Sequence, residues 1–269
     1  MNATISLQLY TIREALEADP RAALARVAEL GFTTVELFGM DTRADAYAAG
    51  LAETGLTAAS AHATLVGRGG VAAPDFDATF DLAERLGVTT VIEPSTPAAS
   101  WKDGAEIERM ADELNAAADA AAERGLRVGY HNHDGELRGR VGSVSGLEYF
   151  TTLLDPRVVL EVDAYWVVAG GEDLVPFLER TADRVRLLHV KDGKLEGDLA
   201  SQPAAGTGET PDHLATQVPA GTGAVPLDAA LAALPSLEFA VVEFDVYSGD
   251  LFAGIAAGRD YLIERGYGA

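Results

Sequence analysis

Four segments of the chain are short apolar runs that end in side chains able to bind a metal ion or to move a proton. They read Val-Gly-Tyr-His131-Asn-His133, Val-Val-Leu-Glu161-Val-Asp163, Arg-Leu-Leu-His189-Val-Lys191 and Ala-Val-Val-Glu243-Phe-Asp245. Each run is typical of a buried strand, because strands of a parallel sheet are covered on both faces and are almost continuously hydrophobic. Residues i and i+2 of a strand lie on the same face, so each segment directs two polar side chains the same way.

These strand ends predict a metal centre if the strands are neighbours in a closed barrel. The C-terminal ends of barrel strands then meet at one mouth, where barrel enzymes carry their catalytic groups. We expect one divalent ion bound by His131, Asp163, His189 and Glu243. Two imidazoles and two carboxylates suit Mn²⁺, Co²⁺, Zn²⁺ or Fe²⁺ better than Ca²⁺. The alternative is that these side chains only hydrogen-bond to one another above the barrel core.

The pattern along the chain predicts eight strands that alternate with eight helices. The strands are expected near residues 5–9, 33–37, 56–61, 88–92, 127–130, 158–162, 185–188 and 239–242. The helices are expected near residues 20–30, 45–53, 75–86, 105–124, 144–154, 172–180, 227–234 and 250–265. Eight such units in 269 residues favour a single-domain (β/α)8 TIM barrel of the α/β class, covering residues 1–269. No Gly-x-Gly-x-x-Gly motif follows the first strand, which argues against a dinucleotide-binding sheet.

Composition narrows the classes of function. The formal net charge is −22, and such a field repels nucleic acids and anionic membranes. There is no cysteine, so thiolate metal sites and cysteine nucleophiles are excluded. No apolar run approaches the roughly 20 residues of a membrane span, and the N-terminus lacks the pattern of a signal peptide. We therefore expect a cytoplasmic protein with a small-molecule partner and neither a nucleic-acid nor a membrane partner, while a homo-oligomer remains open.

One irregular stretch, residues 193–226, follows the seventh predicted strand. It is rich in Gly, Pro, Ala, Thr and Asp and includes Gly206-Thr-Gly208 and Gly221-Thr-Gly223. A loop of this length in a compact domain is usually either functional or disordered. Because it leaves a strand at the mouth of the barrel, it is either a lid over the site or a surface insertion.

Several of these motifs, in order and spacing, resemble the xylose isomerase-like barrel superfamily. That superfamily includes sugar isomerases, epimerases of the tagatose 3-epimerase type, inosose dehydratases and endonuclease IV. The segments that carry the resemblance are Leu7–Tyr10, Val35–Leu37, Ser60–His62, Tyr130–Glu136, Val162–Asp163, His189–Asp192, Gly221–Pro226 and Val242–Asp245. Together they span the chain and indicate the superfamily, but not a substrate.

The resemblance implies one divalent cofactor, Mn²⁺, Co²⁺, Zn²⁺, Fe²⁺ or Mg²⁺, held by strands five to eight. Asp163, His189 and Glu243 match three ligand positions of the superfamily. At the first ligand position, however, the epimerases have Glu and this chain has His131. Either His131 binds the ion instead, which we favour, or Glu136 reaches back from the following loop.

The activity implied is that of a metal-dependent isomerase or epimerase of a keto sugar or related polyol. The reaction would remove the proton α to a carbonyl and pass through an enediolate. Glu243 is the expected base, His131 or His133 the opposed acid, and Lys191 a second cationic contact to the developing oxyanion. The expected substrate contacts are His62, Glu93, Asn132, Glu136 and Trp166.

Other activities remain as alternatives. Inosose dehydratases also have a His-rich fifth strand, so the main alternative is a dehydratase or lyase acting on a keto-inositol or a 3-keto-glycoside. A sugar-binding barrel without catalysis would bind a metal but show no turnover. An endonuclease IV-like activity is disfavoured by the charge of −22 and by Trp166, which stands where that family has a histidine.

Overall fold

Eight parallel strands close into a barrel in the computed structural model, which describes residues 3–205, 207 and 211–268. Each strand pairs with its neighbours along the chain, and the eighth pairs with the first. The strands are β1 (Thr4–Gln8), β2 (Thr34–Phe38), β3 (Thr57–His62), β4 (Thr90–Glu93), β5 (Arg127–His131), β6 (Val159–Asp163), β7 (Val185–Val190) and β8 (Phe239–Val242). The predicted TIM barrel is confirmed.

Helices surround the barrel and bury an apolar face against the outside of the strands. They cover Arg13–Ala18, Pro20–Glu29, Met40–Thr54, Phe76–Leu86, Gly104–Glu123, Gly135–Arg138, Gly146–Leu153, Ala164–Ala169, Leu174–Thr181, Leu227–Ala232 and Leu251–Glu264. The eight expected helices are present. Three short ones were not expected: Arg13–Ala18, Gly135–Arg138 and Ala164–Ala169.

Local signals in the sequence account for the helix ends. Asp19 accepts a hydrogen bond from the Ala22 amide, and Pro20 occupies the first turn, where no amide hydrogen is needed. Ser145 and Glu148 form a reciprocal capping box. Gly87 ends the helix Phe76–Leu86 at φ +75°, a left-handed conformation that favours glycine. None of the helices among the described residues combines the length and apolarity needed to cross a membrane.

The barrel interior changes from apolar to polar along the strands. Ile92, Val159, Leu187 and Val241 form a small apolar cluster separate from the main core. Two residues further along β6 and β7, and just after β8, the same faces carry Glu161, His189 and Glu243. The apolar layer therefore forms a floor, and the polar layers above it open towards the C-terminal mouth.

The segment after β7 is anchored to the barrel mouth. Asp192–Gly193 pairs with Gln217–Val218 as a short antiparallel ladder. The Asp192 carboxylate accepts hydrogen bonds from the amides of Gly193, Gly221, Gly223 and Val225 at 2.8–3.1 Å. A Cβ atom at position 223 would overlap the Asp192 carboxylate, which explains this glycine. Positions 206 and 208–210 lie outside the described residues, and a lid function for the segment stays a prediction.

Candidate active site

A first group of polar side chains, the inner group, lies just above the apolar floor. Its centre is Glu161, whose Oε2 lies 2.6 Å from His62 Nε2, 3.1 Å from His131 Nδ1 and 3.1 Å from His189 Nε2. Glu161 is buried, and its Oε1 has no hydrogen-bond partner among the described residues. Three imidazoles therefore converge on one carboxylate.

Glu36 of β2 supports the inner group from the side. Its Oε1 lies 2.9 Å from His189 Nε2 and accepts a hydrogen bond from Gln8 Nε2 at 2.6 Å. Its Oε2 accepts from Ser60 Oγ at 2.6 Å. Two buried carboxylates, Glu36 and Glu161, thus face the imidazoles at this depth.

A second group, the outer group, lies nearer the mouth and surrounds the Lys191 ammonium. Lys191 Nζ is 2.8 Å from Asp163 Oδ2, 2.7 Å from Glu243 Oε2 and 2.8 Å from Asp245 Oδ2. The His189 ring joins the two groups, because its Nδ1 lies 2.7 Å from Glu243 Oε2 while its Nε2 faces Glu36 and Glu161.

Burial and the neighbouring charges set the protonation of the imidazoles. Burial alone would lower the pKa of His62, but Glu36 and Glu161 raise it to about 10. The pKa of His189 is raised for the same reason, by Glu161 and Glu243. At the end of β5 and just after it, burial instead has the largest effect: it lowers the pKa of His131 well below the ordinary value and that of His133 to about 4. His131 and His133 are therefore neutral at physiological pH.

In the outer group, burial and the contacts between Lys191 and the carboxylates set the ionisation states. Burial would lower the pKa of Lys191, but Asp163, Asp245 and Glu243 raise it, so the ammonium persists. Burial raises the pKa of Asp163 to about 6 despite the nearby lysine. Burial also opposes ionisation of Glu243, but Lys191 and His189 hold its pKa well below the usual range. Glu243 is thus an anion at neutral pH.

Two sets of residues have the geometry to hold a metal ion. The predicted set is His131, Asp163, His189 and Glu243, and the other is His62, His131, Glu161 and His189. Within each set, one ligand atom per residue lies within 4.8 Å of every other. Imidazole and carboxylate ligands fit a first-row divalent ion in either case. Glu136 belongs to neither set, so the geometry places His131, rather than Glu136, among the candidate ligands.

Three other residues predicted as substrate contacts are buried behind the cavity wall. Asn132 is buried, and its Oδ1 accepts a hydrogen bond from the Asp163 amide at 3.0 Å, which ties β5 to β6. The Trp166 ring is buried 5.4 Å from the His133 ring. Glu136 accepts from Tyr130 Oη at 2.9 Å, and burial raises its pKa to about 7. None of these three lines the cavity above the inner and outer groups.

Glu93 is also buried away from the two groups. It accepts hydrogen bonds from the amides of Leu65 and Val66 at 2.7 and 2.9 Å and pairs with Arg68. These contacts hold the loop after β3. A substrate contact by Glu93 stays a prediction.

A cavity of about 710 Å³ opens above the two groups. Its polar wall includes His62, His131, His133, Glu243 and Asp245, and its other wall is formed largely by the loops after β2, β3 and β4. The volume falls within the range of small-molecule sites. Of the residues predicted for chemistry, Glu243, His131 and His133 therefore face the space that a substrate would occupy, whereas Lys191 does not line it.

Sequence reasoning missed Gln217. Its Nε2 donates to Asp245 Oδ2 at 2.8 Å, and its Oε1 accepts from the Asp245 amide at 2.8 Å. Gln217 thus fixes one of the three carboxylates around Lys191. It lies in the irregular segment after β7, where no periodic pattern marks a residue as buried.

Comparison with known proteins agrees with this architecture. The family model described as the xylose isomerase-like TIM barrel matches residues 24–264. The chain belongs to this family. Members of it include enzymes, and an inosose dehydratase of Geobacillus kaustophilus is 35% identical over 88 residues. That match covers only 32% of this chain and 28% of the dehydratase.

Solved structures match over nearly the whole chain. A sugar phosphate isomerase/epimerase from Parabacteroides distasonis is 24% identical, with a TM-score of 0.72 and coverage of 97% of this chain and 94% of that one. The IolI protein, solved with a bound zinc atom, is 17% identical, with a TM-score of 0.70 and 97% coverage of both chains. At these identities the likeness supports the fold alone.

Proposed function

We propose that this protein is a divalent-metal-dependent isomerase or epimerase of a keto sugar or related polyol, which removes the proton α to the carbonyl. The observation that carries the proposal is the position of Glu243. Its ionised carboxylate lines the cavity, 2.7 Å from His189 and 2.7 Å from Lys191, beside imidazoles able to hold a metal ion. A base and a candidate Lewis-acid site thus adjoin one substrate-sized space, with the Lys191 ammonium behind the base.

Each residue has a separate role in this proposal. Glu243 takes the α proton, and a base in this position contributes about 10²–10⁴-fold to the rate. His133, which also lines the cavity, serves as the opposed proton carrier. Lys191, which the sequence suggested as a contact to the enediolate oxygen, lies behind the cavity wall with its ammonium on Asp163, Glu243 and Asp245, so its role is to keep Glu243 ionised and in place. When bound, the ion supplies Lewis-acid stabilisation of that charge; His131, Asp163, His189 and Glu243 are the ligand set expected from the sequence.

The remaining parts of the proposal concern the substrate and location. His62 lines the cavity and is the best placed of the expected substrate contacts. We assign Glu93, Asn132, Glu136 and Trp166 supporting positions around the site. The proposed partner is a small sugar or polyol, and the proposed location is the cytoplasm.

A dehydratase or lyase is the second candidate, and a specific observation favours it. Epimerisation with two carboxylate bases needs a second Asp or Glu, at the end of β5. This chain has His131 there, and burial lowers the pKa of His131. Elimination needs one base and one group that protonates the departing hydroxyl. The local similarity to inosose dehydratases agrees with this candidate.

Product analysis separates the two candidates. The Mn²⁺-loaded protein is incubated with free ketoses, an inosose and a 3-keto-glycoside, and products are followed by mass spectrometry and NMR. Isomerisation keeps the substrate mass, whereas elimination releases water or the glycosidic substituent. We expect metal-dependent turnover that Glu243→Gln abolishes. Binding of these compounds without turnover would support a sugar-binding barrel instead.

A further inference from the structure

The cavity extends to one side of the barrel mouth. It is lined by residues at or after the ends of β1 to β5 and β8 and by residues of helix Phe76–Leu86, whereas no described residue of β6 or β7 lines it. In the closed barrel, β2 and β3 lie across from β6 and β7. A molecule that fills the cavity and contacts Glu243 therefore extends towards β2 and β3, away from the expected metal ligands Asp163 and His189.

The far end of the cavity has a largely apolar wall. Phe38 ends β2, and Met40 begins the next helix; both line the cavity. Ala78 and Leu82 face them from helix Phe76–Leu86, one helical turn apart and thus on one face of that helix. Leu82 is only partly buried, so part of its side chain is left for a ligand to cover. We call this part of the cavity, bounded by these four side chains, the apolar end.

Two aromatic rings form a corner beside the apolar end. The rings of Tyr10 and Phe38 meet edge to face, with centroids 5.4 Å apart and an angle of 86° between their planes. The Arg13 guanidinium lies 4.4 Å from the centre of the Tyr10 ring and donates to the carbonyl oxygens of Tyr10 and Asp245, both at 3.1 Å. Tyr10 is thus held in place, yet it is 40% exposed and lines the cavity. Such a corner offers ring surface that suits a flat apolar group.

The charges around the cavity disfavour a phosphorylated substrate. Among the described residues no lysine or arginine lines it, whereas four carboxylates do: Asp41, Asp75, Glu243 and Asp245. Proteins usually bind phosphate groups with arginine, lysine or free backbone amides. The nearby N-terminus of helix Met40–Thr54 already carries Asp41 in its first turn, so its positive end faces a carboxylate of the chain itself. A phosphate in the far half of the cavity would meet Asp41 and Asp75 without a cationic side chain.

The size of the cavity also exceeds what a single sugar ring needs. Its volume of about 710 Å³ lies in the upper part of the range of roughly 300–1,000 Å³ that holds drug-sized ligands. A sugar ring at His131, His133 and Glu243 would leave the apolar end to water. A second sugar ring there would place hydroxyl groups against Phe38 and Leu82, where they lose hydrogen bonds to water. An apolar substituent fits this end better than either.

We propose that the substrate is an unphosphorylated keto sugar or polyol that carries an aromatic substituent. The substituent packs in the apolar end beside Tyr10, while the keto ring lies at His131, His133 and Glu243. The inference rests on the proposed function for the keto group, and it deepens that function by naming the part of the substrate that lies away from the reacting carbon.

Binding of paired ligands that cannot react tests the proposal. Phenyl and methyl β-glucoside lack the keto group, and their dissociation constants for the Mn²⁺-loaded protein are measured by NMR titration. We expect the phenyl glucoside to bind at least about 10-fold more tightly, because its ring is removed from water in the apolar end. Leu82→Ser should lower this preference by about 3-fold or more and leave the affinity for the methyl glucoside unchanged. Val71→Ser, at an exposed valine that does not line the cavity, is the matched control and should keep the preference.

Equal affinity for the two glucosides, or binding of neither, would overturn the proposal. Cellobiose bound as tightly as the phenyl glucoside would assign the apolar end to a second sugar, and glucose 6-phosphate bound more tightly than glucose would assign it to a phosphate. Ala78→Asp, at an exposed position on the same helix face, gives the same test if Leu82→Ser fails to fold. The failure of the proposed function is distinct, because the phenyl preference would persist while the corresponding 3-keto-glucosides show no turnover.

Discussion

Glu136 is a residue whose buried environment disfavours the ionised form of its carboxyl group. It is buried in the short helix after β5 and accepts a hydrogen bond from Tyr130. Burial raises its pKa from 4.5 to about 7, so between these pH values the folded state holds a proton that the unfolded chain has lost. The free energy of unfolding therefore falls as the pH rises from about 4.5 to about 7, by at most about 3 kcal/mol.

We predict that Glu136→Gln stabilises the protein above neutral pH. Glutamine is neutral and can still accept from Tyr130, so the ionisation penalty disappears. The free energy of unfolding in urea should rise by about 1–3 kcal/mol at pH 8 and match the wild type near pH 4.5. Glu123→Gln, at an exposed glutamate, is the control and should show no such difference. A variant less stable than the wild type at pH 8 would mean that the charge of Glu136 has a stabilising partner.

At the scale of elements, Asp192 holds the irregular segment after β7 in place. Its carboxylate accepts four backbone amides, three of them at or beyond Gly221, so one side chain fixes where the segment returns to the barrel. The same return brings Gln217 to Asp245. The order of this segment and the geometry around Lys191 are thus linked.

We predict that Asp192→Ala loosens this segment without opening the barrel. The loss of hydrogen bonds to a charged acceptor should lower the free energy of unfolding by about 2–4 kcal/mol. Hydrogen exchange should accelerate at residues 217–226, while the amides of β5 to β8 stay protected. Asp198→Ala, at an exposed aspartate of the same segment, should behave like the wild type. Faster exchange throughout the barrel would show that Asp192 supports the whole fold.

The strand ends could be predicted from sequence because periodicity carries that information. Side chains alternate between the two faces of a strand, so the point where apolar residues give way to polar ones shows which side chains share a face and where the strand ends. On this basis the sequence predicted one mouth for the strand-end residues His131, Asp163, His189 and Glu243. The pairing of particular side chains could not be predicted. It depends on strand register and rotamers, which placed Lys191 among three carboxylates and Glu161 among three imidazoles.

The segment after β7 shows a different limit of sequence reasoning. The Gly221–Pro226 motif was visible, but its physical reason was not, because its amides bind the carboxylate of Asp192, which lies 29 or more positions earlier in the chain. The short helices after β5 and β6 were missed because they are only 4 and 6 residues long, too short for a helical period to appear.

For the whole molecule, the net charge of −22 makes the main long-range electrostatic contribution to stability. Self-repulsion of such a charge destabilises the compact state, and salt screens it over roughly 10 Å at 0.1 M. The buried pairs of the active site are screened much less than the exposed surface.

We predict that the melting temperature rises by about 2–5 °C between about 0.02 M and about 0.5 M NaCl. Differential scanning calorimetry measures the change, and KCl at equal ionic strength should produce the same shift. A fall in melting temperature with salt would indicate that attractive surface ion pairs outweigh the repulsion.

The central claim is that Glu243 removes a proton α to a substrate carbonyl in a metal-dependent site. Its most direct test is the exchange of that proton with solvent, because exchange reports the first chemical step whether isomerisation or elimination follows. The Mn²⁺-loaded wild type and Glu243→Gln are incubated in deuterated water with each ketose of the panel. Deuterium at the α carbon is measured by NMR, with metal-stripped protein as the control.

We predict that the wild type incorporates deuterium only when metal is present, and that Glu243→Gln does so at least about 10²-fold more slowly, as expected for loss of a general base. Equal exchange in the wild type and Glu243→Gln, together with its loss in His133→Ala or His131→Ala, would contradict the claim and assign the base to the histidines at the end of β5.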